Sequence, residues 1–241
     1  HSIMKTIGII LMLIILNHTA NAQYSMNTTL INYQEITNPI SVNHTTIWDE
    51  NSSFPLYFNF NFIISGQTYT ALNVNAGGGL DFPGLGSKQL DVFYHPDAGA
   101  MLSAKGTSPS TSPIKYTIEG AQGSHILKIQ WKNAGFKSMC GAPIDTTNSI
   151  NYQIWLFEQD NHIEIHFGNC SASPYSYGYP SCGSDPNPGC QIKFRFDQCN
   201  NWLDIFGPCN LPSYTFINNC IWQPAYHLNG TPNSGVTFNI I

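Results

Sequence analysis

The sequence has little charge. Lys and Arg number 9 and Asp and Glu 14 in 241 residues, so charged side chains make up 10% of the chain, against roughly a quarter in an ordinary globular protein. The net charge of -5 does not supply the basic surface that nucleic acid or an anionic membrane needs. Amphipathic helical periodicity longer than two turns is missing after the first 22 residues. So is any later apolar run that could cross a bilayer, which takes about 20 residues. The absence of Cys-x-x-Cys removes zinc-ribbon and thioredoxin-type chemistry. There is no Gly-x-Ser-x-Gly elbow and no His-Glu-x-x-His, and the Gly-rich stretch Asn75 to Leu80 lacks the Lys and Ser/Thr of a phosphate loop. A bulge or tight turn between strands fits that stretch better.

What is present begins with an address. Met4 and Lys5 precede an apolar run from Ile7 to Leu16, about ten residues and too short to span a membrane. Ala20-Asn21-Ala22 follows. Basic start, short apolar core and small-residue cleavage site form a secretory signal peptide. Residues 1–22 are therefore read as signal peptide and upstream residues, and 23–241 as one secreted domain. Ser103 to Pro113, rich in Ser, Thr and Pro, is the one place where that domain divides into halves.

Export makes disulfides the default state of the seven cysteines. Cys182 with Cys190 is the first expected pair, because the turn-rich residues between them let the chain double back. Cys199 with Cys209 and Cys140 with Cys170 follow, which leaves Cys220 over.

Short alternating runs bounded by Gly, Pro, Asn and Asp recur along the chain. They include Leu56–Phe62, Tyr69–Val74, Ile114–Glu119, Ile126–Trp131, Ile150–Glu158, His162–Phe167, Ile192–Phe196 and Val236–Ile240. Many short strands without helices predict an all-β fold. We expect an antiparallel two-sheet β-sandwich of jelly-roll or Greek-key type, with long disulfide-stapled loops.

"SPIKYTIEGAQGSHILKIQWKNAGF" followed by "INYQIWLFEQDNHIEIHFG" resembles a pattern in secreted and surface β-sandwich modules of Bacteroidota. "FPLYFNFNFIISGQTYTALNVNAGGGLDF" is similar to the stretch that opens such modules. The resemblance covers most of residues 50–168. It implies an extracellular β-sandwich module at or beyond the cell surface, and it implies no reaction.

Side chains alternate between the faces of a sheet. Leu127, Ile129, Trp131, Ile154, Leu156, Ile163, Ile165 and Phe167 share a core face. Lys128, Gln130, Gln153, Trp155, Phe157, Glu164 and His166 share the other. A polar face holding a Trp and a Phe is either covered by a loop or holds a ligand. In the ligand reading Trp155 stacks on a sugar, and Gln153, Gln130, Glu164 and His166 surround it. Tyr175, Tyr177 and Tyr179, in the Pro- and Gly-rich loop after Gly168, either cap that face or extend it.

His162, Glu164 and His166 point the same way from one strand. Two imidazoles and a carboxylate are metal-ligand types, but a solvated face explains them and no fourth ligand presents itself, so no metal or other cofactor is assigned. Glu158 and Glu164 flank one turn with opposite parity, which argues against a paired-carboxylate glycosidase. Asn27, Asn43, Asn51, Asn169 and Asn229 open N-x-S/T sequons.

The expected function is non-catalytic: binding or adhesion at the cell surface or in the extracellular matrix, with a glycan or an extracellular protein as partner. A structural or decorating module without a ligand site is the first alternative. A jelly-roll glycan hydrolase is the second.

Overall fold

The computed structural model describes residues 24–49, 51–83, 89–94, 100–105, 111–138, 145–171, 191–196, 202–217, 228–229 and 232–241. Among these there are strands and turns and no helix. The first strands are β1 (Met26–Leu30), β2 (Ile40–Ser41), β3 (Ser53–Ile64), β4 (Gln67–Asn75) and β5 (Gly79–Asp81). Next come β6 (Gln89–Tyr94), β7 (Ala100–Ser103), β8 (Ile114–Glu119), β9 (Ile126–Ser138), β10 (Asp145–Phe157) and β11 (Ile163–Phe167). The last are β12 (Gln191–Arg195), β13 (Trp202–Pro208), β14 (Ser213–Ile217), β15 (Leu228–Asn229) and β16 (Val236–Ile240).

Two sheets result. The first runs β1-β16-β11-β10-β9-β8-β2, with β7 against the end of β9. The second runs β14-β13-β12-β6-β5-β4-β3. All pairings are antiparallel except the short one between β15 and β13. The expected all-β, two-sheet architecture is therefore present, and the chain passes between the sheets several times.

Local chemistry accounts for the elements. β3 alternates exposed and buried residues from Leu56 to Ile64, the period of a half-buried strand. Ser65 and Gly66 both have positive φ, 49° and 74°, as a two-residue hairpin turn requires. They join Ile64 to its partner Gln67. At Gly78 (φ 126°) a Cβ would lie 2.1 Å from the Val92 carbonyl oxygen, and at Gly79 one would lie 2.2 Å from that of Leu90. The Gly-rich stretch is a turn into β5 over which β6 passes at backbone contact.

The core lies between the sheets. The eight residues expected on the core face of β9, β10 and β11 are all buried. Trp131 stacks on Tyr152 with ring centroids 4.8 Å apart. From the second sheet Phe93 reaches Tyr152 at 5.2 Å and Phe167 at 6.0 Å. Phe93 does this through an irregularity. It is skipped in the register between β6 and β12 and has φ 71°, rare for a bulky residue. The bulge turns Val92 and Phe93, adjacent in sequence, into the same core, and burying such a ring contributes about 1.5–3 kcal/mol.

Both described flanks of the Ser- and Thr-rich stretch are pinned. Lys105 N–H donates to Ser112 Oγ, Ser112 Oγ donates to the Asn133 carbonyl, and Trp48 Nε1 donates to the Ser112 carbonyl. Described residues of both sheets form one hydrophobic cluster across this stretch.

The expected staples need correction. Cys170 and Cys209 are free thiols, so neither the Cys140–Cys170 nor the Cys199–Cys209 bridge is formed. Cys170 Sγ is turned onto Asn151 instead, accepting its N–H at 3.4 Å and donating to its carbonyl at 3.3 Å. Cys209 is half-buried and packs against the core. Cys140, Cys182, Cys190, Cys199 and Cys220 lie outside the described residues, and so do Tyr175, Tyr177 and Tyr179.

Candidate functional site

The Trp155 face forms as the alternation predicts. Across β9, β10 and β11 the register sets Lys128, Trp155 and Glu164 in one row, with Gln130, Gln153 and His166 in the next. A strap, residues 31–37 between β1 and β2, lies over this face. Gln153 Nε2 donates to the Gln34 carbonyl at 2.7 Å and to Gln130 Oε1 at 2.9 Å. Gln130 Oε1 also accepts the Ile36 N–H, and Gln130 Nε2 donates to Glu35. Lys132 reaches the same Glu35 carboxylate at 3.2 Å.

Tyr33 completes the seal. Its ring packs on Gly168, where a Cβ would come within 2.9 Å of it. Burial holds the Tyr33 hydroxyl well above the ordinary phenol range. The cover foreseen for this face therefore comes from the N-terminal side of the chain.

The remaining polar groups of the face satisfy one another. Trp155 Nε1 donates to Gln153 Oε1 at 2.7 Å. His166 hydrogen-bonds Glu164 through Nε2 at 2.7 Å and Thr237 Oγ1 through Nδ1 at 3.2 Å. His162 stands 3.5 Å from the other Glu164 oxygen. Burial works to raise the Glu164 carboxyl, but the His166 hydrogen bond and the two imidazoles hold it below the usual range. The Trp155 ring is flanked by His166 from β11, 3.8 Å between centroids, and by Lys128 Nζ from β9 at 4.0 Å. Since these come from opposite neighbouring strands, both ring faces are engaged. A cavity of about 480 Å3 remains beside the strap, lined by Glu119, Lys128, Trp155 and strap residues. No group of three His, Cys, Asp or Glu among the described residues has metal-binding geometry.

A second constellation lies at one end of the sandwich. Between the pairs Tyr57–Ala71 and Phe62–Tyr69 the β3–β4 register breaks, so residues 58–61 bow out opposite Thr70. The bowed strand meets the β8–β9 turn, where His125 stacks on Phe60 with centroids 5.7 Å apart.

Glu158 fixes that turn. Its Oε2 accepts the N–H of His125 at 2.9 Å, that of Gly123 at 2.8 Å, and His125 Nδ1 at 2.6 Å. The His125 N–H foremost, with the ring and the Gly123 N–H, holds the Glu158 carboxyl below its ordinary value. With Nδ1 so engaged, Nε2 is the remaining polar atom of the imidazole. The core-facing parity expected for Glu158 does not hold, because β10 ends at Phe157 and Glu158 belongs to the following turn.

Two adjoining lobes of about 590 and 580 Å3 share Phe58, Asn59 and His125. The first adds Asn61, Thr70, Gln122 and Glu158, and the second adds Tyr57. Tyr57 is 74% exposed. The sequence signal for this cleft was the row Tyr57, Asn59, Asn61 on one side of a Phe-rich strand. The meeting of His125 with Glu158, 33 positions apart, left no such signal. A third, more apolar groove runs along the edge strands β1 and β14.

No helix among the described residues is long and apolar enough to cross a membrane. No curated protein and no solved structure matches the chain. The family model described as NIDO related matches residues 23–183. That span holds β1 to β11, the strap, the Trp155 face and the end cleft, and it exceeds half of the chain. It points to an extracellular type of module, and by this match the chain belongs to the NIDO-related family.

Proposed function

We propose that this protein is a secreted, non-catalytic recognition module and that it binds a neutral glycan in the end cleft. The observation that carries this is the convergence of Asn59, Asn61, Gln122 and the His125 ring with the exposed Tyr57 on one concave surface. Side-chain amides both donate and accept, as sugar hydroxyls require. A tyrosine ring offers apolar area with a polar tip. Among the described residues Glu158 is the one carboxylate lining the cleft, and three donors already hold it. Glycoside hydrolysis in its usual form needs two carboxylates facing one bond, so the lining supports binding over catalysis. The Trp155 face supports a structural role, because its hydrogen-bonding groups serve the strap.

The test is a glycan array with the purified protein, followed by calorimetry on the best ligand. Tyr57→Ala and Asn59→Ala should each weaken binding by about tenfold or more, or about 1.4 kcal/mol, while Trp155→Phe should leave it unchanged. Absence of any bound glycan would sink the reading in favour of a structural or decorating module. Release of free sugar, abolished by Glu158→Gln, would overturn the non-catalytic assignment.

A further inference from the structure

Strand β1 is an open edge of the first sheet. Its partner on one side is β16, and among the described residues no strand pairs with its other side. Ser25 and Ile241 exchange both backbone hydrogen bonds, at 2.8 and 2.9 Å, and Asn27 and Thr29 follow in the same phase opposite Asn239 and Thr237. The N–H and C=O groups of Met26, Thr28 and Leu30 therefore point away from the sheet. Natural sheets blunt such edges by shortness, proline, charge or a bulge. β2, the far edge of the same sheet, has two residues, and β3, an edge of the second sheet, carries Pro55 and a break in register. β1, Met-Asn-Thr-Thr-Leu, has no proline, no charge and no break in register.

The side chains of β1 add a second observation. Met26, Thr28 and Leu30 share the core-facing side of the strand. Met26 is buried there, but Leu30 is 81% exposed. On the opposite face Asn239 Nδ2 donates to Asn27 Oδ1 and to Thr29 Oγ1, so those polar groups are satisfied within one copy. The groove along β1 and β14 has a volume of about 880 Å3, with Leu211, Pro212 and Tyr214 across from β1. Leu211 is 79% exposed. None of the residues lining this groove is charged.

We propose that β1 is a dimerisation edge and that its occupant is β1 of a second copy of this chain, antiparallel about a two-fold axis at Thr28. In that register Thr28 faces Thr28 of the partner subunit, and Met26 faces Leu30 of the partner subunit. Each outward N–H and C=O then meets its complement. Leu30 leaves water for a place beside an apolar side chain at the mouth of the opposite groove. Charge fits a second copy. The chain carries a net charge of -5, so two copies repel wherever their charged surfaces meet, and this neutral patch is a place where they do not. An isologous contact of this kind closes at two subunits, whereas pairing of β1 with β14 of another copy is heterologous and leads to rings or filaments.

The experiment is sedimentation equilibrium of the purified protein at concentrations up to about 100 μM, and the expected species is a dimer. Leu30→Lys places a charge on each side of the axis and removes the burial of both leucines. The dimer Kd should rise by about a hundredfold or more, with the circular dichroism spectrum unchanged because Leu30 is exposed in the single copy. Thr28→Cys reads the register. Cα atoms about 5.5 Å apart across a hydrogen-bonded pair permit a disulfide. Mild oxidation should therefore trap a covalent dimer, mapped by mass spectrometry to the two introduced thiols. Asn27→Cys, displaced by two residues from its own copy, should not be trapped. A wild-type protein that stays monomeric throughout refutes the proposal, and so does a dimer that Leu30→Lys leaves intact. A dimer that Leu30→Lys disperses but Thr28→Cys does not trap, or growth into larger assemblies, refutes the β1–β1 pairing.

Discussion

Replacing Gln153 by Met should unlatch the strap. The substitution keeps the length of the side chain and removes its amide. Three hydrogen bonds go with it: those to the Gln34 carbonyl, to Gln130 Oε1 and from Trp155 Nε1. Gln130 Oε1 keeps the Ile36 N–H as a partner, so its loss is partial. The Trp155 N–H and the Gln34 carbonyl lose the partners named here. Each abandoned group at a buried site costs about 1–3 kcal/mol, which puts the total near 3 kcal/mol. For a domain of this size that lowers Tm by about 6–12 °C.

Urea unfolding would read the change as a lower midpoint at constant slope. Hydrogen exchange at residues 31–37 should accelerate more than exchange in β10. Trp155→Phe removes the indole donor and part of the ring that His166 and Lys128 flank, and should cost about 1 kcal/mol or more. The double mutant should show coupling of about 0.5 kcal/mol or more, as expected for residues in one network. A Gln153→Met protein within about 0.5 kcal/mol of wild type, with unchanged strap exchange, would refute the view that this amide holds the cover.

Two further outcomes follow from perturbed groups. Glu158 has a lowered folded pKa, so its contribution to stability is present above about pH 4.3, the unfolded reference value. It is lost as pH falls through the folded value, and Glu158→Gln should flatten the acid limb of the stability curve measured by urea midpoints between about pH 5 and 3. An unchanged acid limb would mean that the His125 turn does not depend on the ionised carboxylate. Burial pushes the Cys170 thiol up to about 11, leaving about a thousandth of it as thiolate at pH 8. Iodoacetamide should label Cys170 at pH 8 far more slowly in the native protein than after denaturation, and equal rates would contradict the raised thiol pKa.

The parts of the fold that could be read in the sequence are those where two-residue alternation is unbroken. β8 and β16 begin and end where the pattern places them, and the register of β9, β10 and β11 puts the expected residues, Glu158 excepted, on their expected faces. The pattern fails where the backbone departs from regular pleating. In β6, the bulge at Phe93 buries neighbours in sequence, which reads as a continuous apolar run of no definite type. β1, β2, β13 and β14 are short or carry polar outer residues and give little contrast.

The strap was invisible for another reason. It is held largely by the Gln34 carbonyl and the Ile36 N–H, and backbone atoms leave no signature in residue type. Gln153 and Gln130 were visible as polar residues on an aromatic face, but whether they serve a ligand or the chain itself depends on those backbone atoms. In the end cleft, Tyr57, Asn59 and Asn61 could be read as an outward row. The concavity behind them comes from the break in register with β4, which the alternation does not encode.

The placement of the cleft follows from what the two sheets do with their outer faces. On the first sheet, Gln130, Gln153 and His166 are buried, the two amides bonded to the strap and to each other and His166 to Glu164 and Thr237. On the second, Asp91, Lys193 and Asp204 are buried in a row. Neither surface offers its hydrogen-bonding groups without rearrangement, and rearrangement would be charged against binding free energy. The end cleft needs none. Its turn is fixed by Glu158 through three hydrogen bonds. Its bowed strand is held beyond the bulge by Asn161, whose side-chain oxygen accepts the Ile63 N–H at 2.7 Å. Asn161 sits at φ 60° in the β10–β11 turn, a conformation that asparagine tolerates better than most residues. Two turns of the first sheet thus hold the edge strand of the second in a bowed shape before any ligand arrives. Preorganisation of that kind is what the proposed glycan binding by a few amides and one ring requires.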